Sequence, residues 1–200
     1  MGKTTLALYV YNDKRVLGYF DLKMWVCVSD VFDVKKITEK IIESATGKKP
    51  ENLEMDNLQN KLCEELSQKK YLLVLDDVWN EDEEKWCKLK RILMSGSKGS
   101  KVVITTRTKL IAKITSTISP YYLQGLSEKQ SWSLFKQMTF TNGEETSKPN
   151  LEAIGMDIVR KCCGVPLAIK AIGRILYFKE TEDEWLYIKD RELTNVTRGK

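Results

Sequence analysis

Along this 200-residue chain the apolar positions alternate between two kinds of pattern, and then settle into one. Residues 24–29 (MWVCVS), 71–75 (YLLVL) and 102–104 (VVI) are short, nearly unbroken apolar runs, as expected of buried strands in a parallel sheet. The stretches between them have helical spacing. Residues 1–14 read as a helix opened by Gly2, with Leu6 and Val10 as its stripe and Asn12-Asp13 as its stop. Asp33 is an N-cap in front of Ile37, Ile41 and Ala45, and Gly47 ends that helix. Leu58, Leu62 and Leu66 mark a further amphipathic helix, and the acidic stretch 81–84 opens another that carries Trp86, Leu89 and Leu93. Strands alternating with helices in this way predict βαβ units.

From about residues 116–126 onward the pattern is helical only. One helix runs from Ser127 to about Phe140 through Trp132, Phe135 and Met138, and a second uses Ile154, Ile158 and Cys162. A third follows Pro166 and is apolar nearly all round (Leu167, Ile169, Ile172, Ile175, Leu176), which predicts a helix buried between others. A last short helix holds Trp185 and Ile188, and residues 141–150 are the weakest region for order. The expected organisation is an α/β domain over residues 1–117 and a small helical domain over 118–200.

Composition narrows the chemistry. The net charge of +5 is spread along the chain without a run of five or six like charges, so no specific nucleic-acid partner is indicated. Histidine is absent, which excludes a Ser-His-Asp triad, a Cys-His dyad and histidine-based zinc sites. The five cysteines (Cys27, Cys63, Cys87, Cys162, Cys163) lack C-x-x-C spacing and read as buried thiols of a cytosolic protein; Cys162-Cys163 lack the further ligands of a metal site. Tryptophans and the aromatic stripe at 132–140 read as core rather than as a partner-binding face. No apolar run approaches the roughly 18 residues of a membrane span, and no signal peptide is expected, so the chain reads as cytoplasmic.

Candidate chemistry gathers at the ends of the predicted strands. Gly2-Lys3-Thr4-Thr5 at a helix start is the second half of a phosphate-binding loop. Glycine lets backbone N–H groups approach phosphate oxygens, Lys3 would reach the β- and γ-phosphates, and the Thr4 hydroxyl would bind Mg²⁺. The alternative is an N-terminal helix with a surface lysine. Asp76 ends an apolar strand, where it can hold Mg²⁺, and Asp77 follows it as a group able to orient water or act as a general base. Two solvated acids capping the next helix are the alternative there. Thr105-Thr106-Arg107 ends another strand, and Arg107 could sense a phosphate. Three polar tips on one sheet edge favour nucleotide binding over coincidence.

Six segments in order, GKTTLA (2–7), MWVCVSDVFD (24–33), YLLVLDDVWN (71–80), GSKVVITTRT (99–108), YYLQGLSEKQSWSLFKQMTF (121–140) and CGVPLAI (163–169), resemble the NB-ARC module of plant disease-resistance proteins with leucine-rich repeats. Trp79, directly after Asp-Asp-Val, is similar to the branch with an N-terminal coiled coil. The resemblance implies an α/β fold of the P-loop NTPase type, a three-layer parallel sheet with its first strand missing, followed by a small all-α subdomain. It also implies that Gly164-Val165-Pro166-Leu167 corresponds to the family's G-L-P-L motif, placing Pro166 and Leu167 at the adenine. Arg107 falls on the sensor arginine and Asp76 on the magnesium-linked aspartate. On this reading the chain is a piece of a receptor whose winged-helix subdomain, coiled coil and leucine-rich repeats lie elsewhere.

What the resemblance implies for function is an ADP/ATP switch with Mg²⁺, in which ADP holds the domains closed and exchange for ATP lets them reopen and assemble into an oligomer. Hydrolysis would be a slow resetting step, at most. The expected role is intracellular detection of a pathogen effector or a guarded host protein. Two other readings stay open: a P-loop ATPase or kinase with sustained turnover, and a degenerate, nucleotide-free interaction module. Against the first, aspartate rather than glutamate follows Asp76.

Overall fold

A computed structural model of the chain describes residues 2–28, 32–140 and 149–196. They divide into two compact units, Gly2–Tyr122 and the residues from Leu123 onward. The boundary expected after residue 117 falls in the connection between the last helix assigned to the first unit and the first helix of the second.

The first unit opens with helix α1 (Lys3–Asn12) and the single-turn α2 (Lys14–Leu17), followed by strand β1 (Leu22–Cys27). The helix read over residues 1–14 thus breaks at Asp13, whose extended backbone and carboxylate, accepting from the Arg15 N–H, start a new turn. Helices α3 (Val34–Thr46) and α4 (Met55–Leu66) lead to β2 (Tyr71–Val78), α5 (Glu83–Leu93), β3 (Lys101–Thr106) and α6 (Lys109–Thr115). The caps read from sequence are present: the Asp33 carboxylate accepts from the N–H groups of Lys35 and Lys36, and Gly47 ends α3 at a φ of 72°. Helix α6 has no counterpart in the sequence reading, yet its Ile111 is fully buried.

The strands pair in parallel in the order β1-β2-β3. On one face Met24, Val26, Leu73 and Leu75 form a continuous core with Ile37 and Ile41 of α3, Leu58, Leu62 and Leu66 of α4, and Trp86 and Leu89 of α5. The opposite face meets α1, where Tyr11 packs edge-to-face on Trp25 and Lys23 lies over the Tyr11 ring while donating to the Tyr11 carbonyl. That makes three layers, helices on both sides of a parallel sheet. Helix α1 departs from its expected stripe. It buries only Ala7, while Leu6 and Val10 stay exposed, because its apolar residues are distributed around the axis rather than gathered on one side.

The second unit consists of α7 (Glu128–Thr139), α8 (Pro149–Lys161), α9 (Pro166–Leu176) and α10 (Glu182–Val196). Ser127 and Gln130 close a capping box on α7. Phe135, Ile158, Ile169, Leu176 and Trp185 fill the core, with Phe140 stacked on Trp185 and Trp185 edge-on to Phe135. Most of the region read as weakly ordered, residues 141–148, lies outside the described residues.

Two expectations need correction here. Helix α9 is not buried on all sides: Ile169, Ile172 and Leu176 face the core, but Leu167 and Ile175 are exposed on the side that also carries Lys170 and Arg174. Nor are the cysteines uniformly buried. Only Cys162 is, and its burial pushes the thiol up to about 11, whereas Cys27, Cys87 and Cys163 are exposed. Cys27 is exposed because the β1 alternation that buries Met24 and Val26 turns it outward.

The turn into α9 depends on Gly164. Its φ is 69°, its carbonyl accepts from the Leu126 N–H at 2.9 Å, and a Cβ there would lie 2.4 Å from the Leu126 carbonyl oxygen. Neither backbone can step aside cheaply. Gly164→Ala is therefore expected to destabilise the helical unit by about 1–3 kcal/mol, read as a drop in thermal midpoint; an unchanged midpoint would show that the 125–126 segment yields.

Candidate functional site

The carboxyl ends of β2 and β3 and the start of α1 converge. Pairing between the two strands runs regularly from Leu72 opposite Lys101 to Leu75 opposite Ile104, then resumes with Val78 opposite Thr106. Between these points β2 has two residues, Asp76 and Asp77, against the single Thr105 of β3. This is a β-bulge, and Asp77 takes it up with a φ of 57°, in the left-handed region. Adjacent strand residues ordinarily face opposite sides of a sheet; the bulge lets the neighbouring acids be aimed separately.

Asp76 is buried, and its carboxylate ties the three elements together. Oδ1 accepts from the Thr4 hydroxyl of α1 at 3.0 Å and from the Thr105 hydroxyl at 2.5 Å. Thr105 Oγ1 in turn accepts from the Asp77 N–H at 2.9 Å. The Asp76 backbone carbonyl accepts from the Val28 N–H, which fixes the end of β2 from its other edge.

Asp77 faces Arg107. Its Oδ1 lies 3.5 Å from Arg107 Nε, and the guanidinium sits 4.8 Å from the centre of the Trp79 ring. The Arg107 side chain is 63% exposed and that of Asp77 30%, so the ion pair is solvent-screened and contributes about 0–1 kcal/mol. The ring contact adds about 0.5–1 kcal/mol. Arg107 is thus held loosely enough for a stronger anion to redirect it.

Helix α1 begins at Lys3, with Gly2 before it at a φ of 84°. Gly2 offers no side-chain cap and the first turn contains no acid, so the N–H groups of Lys3, Thr4 and Thr5 are not taken up by a capping side chain. Positive potential from the helix end and the Lys3 ammonium therefore adjoins the acidic bulge. Thr4 and Thr5 are exposed and Lys3 is partly buried. Among the described residues no group of three or more cysteine, aspartate or glutamate side chains could by itself hold a metal ion.

Of the residues singled out from sequence, Gly2, Lys3, Thr4, Thr5, Asp76, Asp77 and Arg107 lie in the first unit around this convergence. Pro166 and Leu167 belong to the helical unit, where Pro166 is the first residue of α9 and Leu167 is 76% exposed. Two participants carry more than the sequence suggested. In the sequence Thr105 stands out only as part of a strand end, and Trp79 only as a mark of resemblance. A hydroxyl residue closing an apolar strand next to an Asp-Asp strand was the available signal for Thr105; nothing local pointed to Trp79 under Arg107.

The family profile described as "NB-ARC domain" matches residues 1–145. Over its whole length the chain is 48% identical to "Disease resistance protein RGA2" of Solanum bulbocastanum, of which it covers 21%. Over 95% of its length it is 36% identical to "Disease resistance RPP13-like protein 4" and 34% identical to "Disease resistance RPP8-like protein 3", both of Arabidopsis thaliana, covering 22% and 21% of those proteins. The chain spans about a fifth of the length of these curated relatives.

Proposed function

This chain belongs to the NB-ARC family, and on that premise we propose that it is the nucleotide-binding part of a plant immune receptor. It would hold ADP or ATP with Mg²⁺ as a switch in pathogen recognition and defence signalling. The observation that carries this reading is the Thr4–Asp76 contact, which joins a glycine-opened helix start to the acidic end of a buried strand.

The two oxygens fit the proposed ion. A threonine hydroxyl and an aspartate carboxylate are hard oxygen donors, the kind that would hold Mg²⁺ directly or through water. A site with so few protein ligands also suits an ion that keeps several waters and phosphate oxygens around it. When bound, Mg²⁺ would neutralise charge on the phosphates. Gly2, Lys3, Thr4 and Thr5 would hold the phosphates through N–H groups and the ammonium, and Arg107 would leave Asp77 for a phosphate oxygen. Asp77, relieved of its partner, could then orient water or accept its proton. Pro166 and Leu167 are the proposed contacts of the adenine.

Among the described residues no helix is long and apolar enough to cross a membrane, which supports a proposed cytoplasmic location. Coiled-coil and leucine-rich-repeat regions of the same receptor, an effector or guarded host protein, and further receptor copies are the proposed partners.

Heat-denaturing the purified intact receptor should release ADP into the supernatant at close to one equivalent. A receptor that releases none is the nucleotide-free interaction module instead. Phosphate release decides the remaining alternative, since sustained turnover above about 1 per second marks an enzyme rather than a switch.

A further inference from the structure

We propose that Thr105 is a positioning residue for the metal-linked carboxylate, holding Asp76 oriented toward the nucleotide's metal ion through a hydroxyl that the Asp77 backbone has locked as a donor. The proposal rests on the nucleotide and Mg²⁺ reading above.

A threonine hydroxyl has one proton to give and lone pairs to receive with, and it ordinarily rotates to suit its surroundings. Here the rotation is settled. The Asp77 N–H occupies Oγ1 as an acceptor at 2.9 Å, and the hydroxyl proton goes to Asp76 Oδ1 at 2.5 Å. Thr105 and Asp76 are each only 6% exposed, so water competes poorly for either group. A hydrogen bond to a charged acceptor in such surroundings is among the stronger ones a protein makes.

The bulge explains why threonine is placed to do this. One residue of β3 opposes two of β2, so the single Thr105 side chain reaches the carboxylate of the first acid and the backbone of the second. The left-handed turn at Asp77 presents its N–H to that hydroxyl. If Thr105 served only to pair the Asp77 N–H, its proton could point anywhere; instead it is given to the oxygen that also takes the Thr4 hydroxyl. Thr4 can therefore leave Oδ1 when nucleotide arrives, while Thr105 keeps the carboxylate in place. Both side-chain hydrogen bonds found on this carboxylate among the described residues land on Oδ1.

The test titrates Mn²⁺, followed by electron paramagnetic resonance, into the ADP-loaded intact receptor carrying Thr105→Val or Thr105→Ser, with ADP affinity measured separately in chelator. Groups that orient a metal-holding carboxylate typically change metal affinity by about 10–100-fold, so Thr105→Val should weaken Mn²⁺ by that factor while Thr105→Ser stays near wild type. Metal-free ADP affinity should be the same in all three proteins. Should the valine variant fail to fold, Thr105→Cys replaces it, since a thiol can accept the Asp77 N–H weakly but is a poor donor to Asp76.

Wild-type Mn²⁺ affinity in the valine or cysteine variant overturns the role of Thr105 and leaves the nucleotide reading standing. An equal loss of Mn²⁺ and of metal-free ADP affinity also overturns it, by showing a structural defect. Wild-type receptor that binds neither ADP nor Mn²⁺ overturns the nucleotide reading, and the proposal with it.

Discussion

Replacing Asp77 by asparagine is expected to slow nucleotide hydrolysis in the intact receptor by about a hundredfold, the lower end of what a general base contributes. The bound pool should shift from ADP toward ATP, and signalling should begin without a pathogen. Asparagine is the informative substitution because of the backbone. Asp77 sits at a φ of 57°, which asparagine tolerates and β-branched residues do not. Asp77→Val removes the same carboxylate but adds a strain of about 1–2 kcal/mol at the bulge. The two variants should therefore agree in bound ATP and differ in thermal stability. Either change frees Arg107 from a contact that contributes little, so the loss of the ion pair alone cannot account for a hundredfold effect. Bound-nucleotide analysis settles the matter: an ADP-filled Asp77→Asn receptor with normal turnover removes Asp77 from the chemistry.

The elements were legible where burial enforces a period. The run YLLVL is buried on both faces and becomes the central strand, and Leu58, Leu62 and Leu66 at four-residue spacing are each fully buried. Asp33 and Gly47 bound their helix because capping is local chemistry, readable a few residues at a time. Apolar content by itself is a poorer guide to burial. Leu167 and Ile175 lie on an outer face of α9, and Leu6 and Val10 stay exposed, because residue type alone does not state which side of a helix has a neighbour.

The candidate site followed the same division. Asp76 and Asp77 could be placed at a strand end, but the bulge is a relation between two strands and has no one-strand signature. From sequence the acids are adjacent, and nothing local says which is buried and which is turned outward. In the fold one is buried under two hydroxyls, while the other is turned outward to an arginine. Thr105, which makes that difference, lies 29 residues from Asp76 in the chain, and only the register of β2 against β3 brings them together.

Lys3→Arg is expected to weaken ADP binding by the intact receptor by about 10–100-fold, the scale of one charge-assisted hydrogen bond lost. Charge is conserved, so a mere surface lysine would tolerate the change. The objection to arginine is shape. Lys3 is the first residue of α1, beside the N–H groups of Thr4 and Thr5, and a compact ammonium can share one anion with them where a planar guanidinium cannot. Lys3 belongs to neither hydrophobic core, so the unliganded protein should keep its stability. Ligand linkage then gives a sharp readout. At a concentration of about 100 Kd, ADP stabilises wild type by about 2.7 kcal/mol, and a variant bound a hundredfold more weakly gains only about 0.4 kcal/mol at the same concentration. Equal ADP-induced shifts in the two proteins would place Lys3 outside the phosphate site and leave α1 as a helix that happens to begin with glycine and lysine.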